Sequence, residues 1–287
     1  MFMRWLSLCF MHWPIDPAKL RHLIPPQLEI DTFEGRAWVG LVPFTMRDVS
    51  RYLPCLRKST SRARRLCLPT ATHFHECNVR TYVTLRAPEH AQSEPGIPGA
   101  GVWFFSLDAA SRLAVWGART LWNLPYYHAA MSLAHDESRC EIAYTVERKH
   151  PRRPAHLRTR WRIGPPIPGA GEPSREGELA HFLTERYSLF SVDRRGRIHR
   201  SAIHHHPWPL REATVLQLEE SLVRAAGIDL DTNLARNPPI AWHADELEVN
   251  AWALERTEIS KRRKSRNAEM RQVLHPVCAE TFGKRCF

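Results

Sequence analysis

The feature that most constrains the fold is a long alternating segment at residues 72–85. It is rich in β-branched and aromatic residues, and its side chains alternate with the period of two that a β-strand requires. One face carries Phe74, Glu76, Asn78, Arg80 and Tyr82, and the other carries Cys77, Val79, Thr81 and Val83. The segment therefore predicts a strand with a carboxylate, an amide and a guanidinium in one row.

Predicted strands outnumber predicted helices in the rest of the chain. We expect strands at residues 28–31, 37–44, 102–107, 140–148, 157–163, 187–192, 197–204 and 247–254, the first two joined by a turn at Glu34-Gly35. We expect helices at 18–24 after the cap Asp16, from a cap at Asp108 to about 122, at 177–185 and at 211–226. This order is not a βαβ alternation, so the predicted architecture is α+β. It is a mainly antiparallel curved sheet or barrel-like cone with an internal cavity and a few covering helices.

The positive charge of the chain lies in two segments. There are 41 Lys and Arg against 30 Asp and Glu, a net charge of +11. Residues 51–66 carry +6 and residues 261–287 carry +6, so the remaining chain is close to neutral at −1. Like-charge blocks are most often solvated segments, and neither block interleaves aromatics as a single-strand platform does. We predict one domain at 1–257 with a basic loop at about 51–70, followed by a flexible basic tail at 258–287, and the pattern does not favour nucleic acid as a partner.

Cysteine usage and hydropathy predict a cytoplasmic protein that does not enter a membrane. The seven cysteines form no C-x-x-C pair, and their odd number does not suggest a disulfide framework. The apolar opening at residues 1–11 is ended by His12, Pro14 and Asp16, and no later run reaches about 18 apolar residues. The oligomeric state stays open, a homo-oligomer included.

Several patterns could carry chemistry, and each has a purely structural alternative. The row from Glu76 to Arg80 either lines a cavity that binds a polar ligand or faces solvent. The pairs His73/His75 and His204/His206 have a spacing that suits a metal, but 16 histidines make such spacings common by chance. The motifs for nucleotide binding, serine hydrolases and zinc proteases are missing from the sequence, so neither a cofactor nor a metal is predicted.

Several longer motifs are spread over the body of the chain: D-P-x-x-L-x-x-L-x-P-x-x-L at 16–28, G-R-A-W-V-G at 35–40, E-x-N-V-R-T-Y-V at 76–83, G-V-W-F-F-S-L-D at 101–108, L-P-Y at 124–126, T-E-R-Y at 184–187 and H-x-W-P-L at 206–210. Over residues 4 to about 255 the chain resembles the YqjF-like uncharacterised bacterial family, which is grouped with the acetoacetate decarboxylase-like superfamily. The resemblance implies a single α+β domain whose strands form a barrel-like cone around a cavity.

A more distant resemblance to acetoacetate decarboxylase runs through R-x-L-W-x-x-P at 119–125. In that enzyme a lysine pair follows the proline, and one lysine forms a Schiff base with the substrate ketone. Here the two positions are Tyr126 and Tyr127, and a phenol cannot form an imine. Only six of the 41 basic residues are lysines, and none has a sequence context that promises a lowered pKa.

The resemblance also implies that Glu76 and Arg119 belong to the pocket. If Glu76 lies beside Arg80 or Arg119, it stays ionised and acts as an anchor or base. If its neighbours are aromatic, its pKa rises and it acts as an acid. The predicted catalytic residues are Glu76, Tyr126 and Tyr127, and the predicted ligand-binding residues are Asn78, Arg80, Arg119 and Arg186.

These residues predict a small-molecule pocket protein without imine chemistry. As an enzyme, it would be a lyase or isomerase that uses acid–base catalysis on a carbonyl or carboxylate compound. The alternatives are a ligand-binding or sensing module with no turnover and, less favoured, a basic nucleic-acid-associated protein.

Overall fold

A computed structural model describes residues 1–50, 73–86, 99–171 and 178–257. Within these ranges the chain forms thirteen strands and four short α-helices. The strands are β1 (Phe2–Ile15), β2 (Leu28–Ile30), β3 (Ala37–Ser50), β4 (His73–Leu85), β5 (Ala100–Ala109), β6 (Tyr126–Asp136), β7 (Glu141–Arg148), β8 (His156–Pro166), β9 (Ser188–Val192), β10 (Ile198–His205), β11 (Arg211–Glu220), β12 (Ile240–Ala251) and β13 (Glu255–Arg256). The helices are α1 (Pro17–Leu20), followed by a 3-10 turn at Arg21–Leu23, α2 (Arg112–Leu121), α3 (Leu179–Thr184) and α4 (Leu222–Ala225).

All thirteen strands belong to one mixed, mainly antiparallel sheet. Their order is β13-β10-β9-β5-β6-β7-β8-β11-β12-β1-β3-β4-β2, and further pairings join β10 to β12 and β5 to β4. Because β4 pairs with both β3 and β5, the sheet returns on itself and is ring-like without being a clean barrel. Among the described strands, only β5–β6 and β5–β9 pair in parallel. The α+β class with a curved, mainly antiparallel sheet is confirmed.

Two apolar clusters lie on the two faces of β1, β3 and β4. Cys77, Val79 and Val83 of β4 belong to one cluster, and Phe74 and Tyr82 belong to the other. This division follows the alternation of residues 72–85, since neighbouring side chains on a strand point to opposite faces. The central parts of these strands are therefore buried on both faces, which places the polar side chains there, such as Glu76, Asn78 and Arg80, in the interior.

The starts of α1 and α2 test two predicted helix caps, one of which the structure confirms. Asp16 accepts a hydrogen bond from the backbone N–H of Ala18, as its predicted capping role requires. The predicted cap Asp108 is wrong, because Asp108 lies inside β5 and Ser111 caps α2 by accepting from the N–H of Ala114. Asp108 instead binds a buried arginine, so its carboxylate is not free to cap a helix.

Two other expectations about elements are corrected. Residues 211–226 are not one helix, because β11 occupies Arg211–Glu220 and only the short α4 follows. β2 pairs with β4 rather than forming a hairpin with β3, and the turn at Glu34-Gly35 closes only a bridge between Phe33 and Arg36. The strands β1 and β6 were not predicted at all.

The basic loop at about 51–70 and the tail at 258–287 lie outside the described residues. The division of the chain at residue 257 therefore stays a prediction. In the part of the chain that the structure covers, no helix is both long and apolar enough to cross a membrane.

Candidate functional site

The polar row of β4 lies in the interior of the protein. The exposed fractions of Glu76, Asn78 and Arg80 are 2%, 5% and 8%. β4 is flanked by β3 and β5, with Glu76 opposite Phe44 on one side and Ala109 on the other. The solvent-facing alternative for this row is therefore excluded, and three hydrogen-bonding side chains share a buried surface.

Glu76 and Tyr126 form a buried phenol–carboxyl pair. The Tyr126 hydroxyl donates to Oε2 of Glu76 at 2.8 Å, and both residues are buried. Burial raises the pKa of Glu76 to about 8; the hydrogen bond from Tyr126 lowers it, and the charge of Asp108 raises it further. Burial and the neighbouring Glu76 also hold the pKa of Tyr126 well above its usual value. At neutral pH both groups therefore carry their protons, and Glu76 can act as an acid.

Tyr126 reaches Glu76 because of how the chain leaves α2. Asn123 adopts a positive φ of 52°, and Pro125 leads directly into β6. β6 then pairs in parallel with β5, with Tyr126 opposite Leu107. Since β5 also pairs with β4, the first residue of β6 is placed next to Glu76, at the N-terminal end of the polar row.

Tyr127 lies in a different environment, because consecutive strand residues point to opposite faces. Its ring lies 4.1 Å from the guanidinium carbon of Arg148, and its hydroxyl accepts from Nη1 of Arg153 at 3.2 Å. Arg148 in turn forms two 2.7 Å hydrogen bonds with the buried carboxylate of Asp108. The structure does not bring Tyr127 to the Glu76–Tyr126 pair.

At the other end of the row, Arg80 belongs to a buried network centred on the carbonyl oxygen of Leu183. That oxygen accepts from Nη2 of Arg80 at 3.1 Å and from the hydroxyl of Tyr82 at 2.8 Å. Nε2 of His12 lies 2.6 Å from the Tyr82 oxygen. Because the Tyr82 proton is directed at Leu183, the His12 tautomer assigned here carries its proton on Nε2. His12 was not among the predicted site residues, because no motif surrounds it.

Three buried polar atoms near this row have no hydrogen-bond partner among the described residues. They are Oδ1 of Asn78, Nε of Arg80 and Nδ1 of His12. Burial and the charge of Arg80 hold the pKa of His12 well below its usual value, so Nδ1 is a bare acceptor. Unpaired buried polar atoms are uncommon in folded proteins, and a bound polar molecule is one way to satisfy them.

The two remaining predicted arginines lie apart from Glu76. Arg186 forms a 2.6 Å ion pair with Asp31, and its guanidinium lies over the rings of Phe182 and Tyr82 at 4.2 and 5.0 Å. Arg119 is exposed on α2 and lines a surface cleft that also includes Tyr126 and Tyr127.

The described residues contain no group of three His, Cys, Asp or Glu side chains arranged to hold a metal ion. The rings of His73 and His75 lie 6.3 Å apart between centroids, as do those of His204 and His206. In each pair the two rings meet edge to face.

The sequence profile of DUF2071, described as an uncharacterized conserved protein, matches residues 2–248. The uncharacterized protein YqjF of Bacillus subtilis (strain 168) is 35% identical over 251 residues, which are 87% of this chain and 89% of that protein.

Solved structures show the same fold at low identity. Acetoacetate decarboxylase from Legionella pneumophila is 12% identical with a TM-score of 0.52, covering 89% of this chain and 86% of its own. The enduracididine biosynthesis enzyme MppR, complexed with the condensation product of pyruvate and imidazole 4-carboxaldehyde, is 10% identical with a TM-score of 0.54, covering 89% and 88%. An acetoacetate decarboxylase-like enzyme from Sphingomonas wittichii RW1 is 11% identical with a TM-score of 0.53, covering 90% and 92%.

Proposed function

The chain belongs to DUF2071, a family of uncharacterized conserved proteins, and from this premise we propose that it binds a small carbonyl or carboxylate compound beside Glu76 and Tyr126 and acts on it by acid–base catalysis. The observation that carries the proposal is the buried 2.8 Å hydrogen bond between Tyr126 and Glu76, where burial raises the pKa of the Glu76 carboxyl to about 8. Perturbed carboxyl groups of this kind are concentrated at functional sites.

The chemistry follows from the protonation states. A neutral carboxyl group can donate its proton to a carbonyl oxygen or to a carbanionic carbon, and the resulting carboxylate can take a proton back. The Tyr126 hydroxyl stabilises that carboxylate by donating to it. The unpaired atoms of Asn78 and Arg80 stand two and four residues along the same strand, where they can bind the polar groups of a substrate.

An imine step does not enter this proposal. The two lysines in the described ranges, Lys19 and Lys149, are both exposed, and Lys19 lies 3.5 Å from Asp229. An exposed side chain lacks the desolvation that activates a Schiff-base lysine. Tyr126 and Tyr127 stand where the resemblance would put the lysine pair.

The proposal is tested with turnover assays on a panel of 2-oxo and 3-oxo acids. Pyruvate is a suitable first compound, since the structurally similar MppR was solved in complex with it. We expect Glu76→Gln to lower kcat at least about 100-fold, because general acid–base catalysis contributes that much or more. Tyr126→Phe removes the hydrogen bond to Glu76 and should lower kcat less.

Tyr187→Phe is the matched control, because the Tyr187 hydroxyl also donates to a carboxylate, that of Glu185, outside the polar row. It should leave kcat unchanged. Equal losses in Tyr126→Phe and Tyr187→Phe, or full activity in Glu76→Gln, would refute the assignment of the site.

The absence of an imine is tested separately. Brief incubation of the wild-type protein with pyruvate or acetoacetate and sodium cyanoborohydride should give no stoichiometric adduct on any one lysine, because the proposed site uses no lysine to form an imine. A reduced adduct on one specific lysine would show that imine chemistry operates in this chain.

A ligand-binding module without turnover is the second candidate. It is favoured by the unpaired atoms of Asn78, Arg80 and His12, which suit the binding of a polar molecule whether or not it reacts. This candidate is supported if calorimetry shows that the wild type binds an oxo acid, that Asn78→Leu does not, and that no compound in the panel is turned over.

A further inference from the structure

The sheet forks on one side of β5. β9 pairs with the beginning of β5, at Val102 and Trp103, whereas β6 pairs with its end, from Leu107 onwards. Residues 104–106 lie between the two partners and pair with neither. A cleft of about 1030 Å³ opens at this fork, bounded by α2 and by the start of β6.

Aromatic side chains from several elements line the cleft. They include Trp103, Phe104, Phe105, Trp116, Tyr127 and Phe190. Trp116 of α2 is 64% exposed at the rim, an unusual position for so large an apolar side chain. Aromatic faces and edges of this kind favour a flat ligand, because offset stacking and edge-to-face contacts add to the burial of area.

The charge of the cleft has one sign. Arg119 and Arg194 line it, and no aspartate or glutamate does so among the described residues. Neither guanidinium forms an ion pair or hydrogen bond within the part of the chain described here. The hydroxyl of Ser191, also in the lining, is buried and has no partner there. Free guanidinium groups bind carboxylates, sulfonates and phosphates through paired N–H donors.

We propose that the cleft between α2 and the fork of the sheet binds a small aromatic anion, whose ring lies against Trp103 and Trp116 and whose acidic group is bound by Arg119 and Arg194. The volume is at the upper end of the range for small-molecule pockets, which leaves room for a fused ring system. Tyr126 borders this cleft and also contacts Glu76, but binding in the cleft requires neither the ionisation nor the chemistry of Glu76.

The test uses the full-length protein and a pair of probes of nearly equal shape, naphthalene-2-sulfonate and the neutral naphthalene-2-sulfonamide, titrated by calorimetry. We expect the sulfonate to bind about tenfold more tightly than the sulfonamide. Arg119→Gln and Arg194→Gln should each weaken sulfonate binding about tenfold and leave sulfonamide binding within about twofold. Trp116→Ala should weaken both probes, since it removes the aromatic contact that they share.

Arg112→Gln is the matched control, because Arg112 is exposed on the same helix and does not line the cleft. It should leave both affinities unchanged, whereas a loss as large as that of Arg119→Gln would show that only net charge matters and overturn the proposal. Equal affinity for the two probes, or a protein dimer in sedimentation that Trp116→Ala dissociates, would also overturn it. Glu76→Gln should bind the sulfonate normally, so failure of the proposed catalysis and failure of this site are distinguishable.

Discussion

At the scale of single residues, Glu76 links proton binding to folding. Its pKa is about 8 in the folded protein, against 4.5 as its ordinary value. Between these two values the folded state holds a proton that the unfolded state has released. Stability is therefore lost as the pH rises through this window, by up to about 1.4 kcal/mol per pH unit from this one group.

We predict that Glu76→Gln flattens the fall in unfolding free energy between pH 5 and pH 8. The amide cannot ionise, so the contribution of this position to the slope disappears. Urea unfolding of the wild type and the variant at pH 5, 6, 7 and 8 measures the effect. Parallel pH profiles for the two proteins would mean that Glu76 titrates normally in the folded state.

Arg148 and Asp108 form the most deeply buried ion pair described, with side chains 1% and 0% exposed. Asp108→Asn removes the charge that compensates Arg148 and should cost about 3–5 kcal/mol of unfolding free energy. The double variant Asp108→Asn/Arg148→Met removes both charges and should recover a large part of this loss. Urea denaturation of the single and double variants tests the coupling, and a double variant less stable than Asp108→Asn would contradict it.

The alternation of residues 72–85 predicted which side chains share a face, and the structure agrees for the row Glu76, Asn78 and Arg80. It could not predict that the face is buried, because burial depends on elements that come from elsewhere in the chain. His12 was not predicted as a site residue, because its position likewise depends on strands from elsewhere in the chain. Only the register of β1 on β3 places it opposite Gly40, where an added Cβ would lie 3.1 Å from the imidazole ring.

At the scale of elements, the wrong secondary-structure predictions occur where the hydropathy pattern does not distinguish a helix from a strand. The apolar and charged residues at 211–220 fit both a helical period and a strand period. The segment forms a strand because it pairs with β8 and β12. β1 is apolar at successive positions because residues 8–13 are buried on both faces. Such a run has no alternation to mark it as a strand.

The parallel contact between β5 and β9 depends on a glycine. A Cβ at Gly101 would lie 2.6 Å from the carbonyl oxygen of Ser188 and 2.8 Å from the ring of Phe190. We predict that Gly101→Ala lowers the unfolding free energy by about 1–3 kcal/mol, because β9 must move away from β5.

Gly99→Ala is the control for this prediction, because a Cβ at Gly99 meets nothing within 4 Å. Its unfolding free energy should stay the same or rise by up to about 1 kcal/mol. Chemical denaturation of both variants measures the difference, and equal stabilities would contradict the close approach of β9.

At the scale of the whole molecule, one continuous sheet separates the two apolar clusters. We predict a single cooperative unfolding transition that substitutions in either cluster shift. Leu157→Ala in the first cluster and Leu107→Ala in the second should each cost about 2–5 kcal/mol. Thermal and urea unfolding followed by two probes test this, and two transitions that respond separately to the two variants would divide the chain into independent units.

The net charge of +11 is also a property of the whole molecule. Residues 51–66 and 261–287 carry +6 each, which together exceeds the net charge of the chain. We predict that any affinity for nucleic acid falls, and its salt dependence flattens, when residues 261–287 are deleted. A salt titration of oligonucleotide binding by the full and shortened chains measures both. Unchanged binding after deletion of both segments would assign the interaction to the near-neutral remainder.

The burial of β3 and β4 on both faces has a consequence for how this chain can vary. The first ten residues of β3 are all buried, whereas the burial of β7 alternates after its first residue. A library of random substitutions should therefore accept polar residues at every second position of β7 and at almost none of the first ten positions of β3. Evolution can then change the exposed alternate positions of β7 freely, while β3 retains its composition between the two clusters.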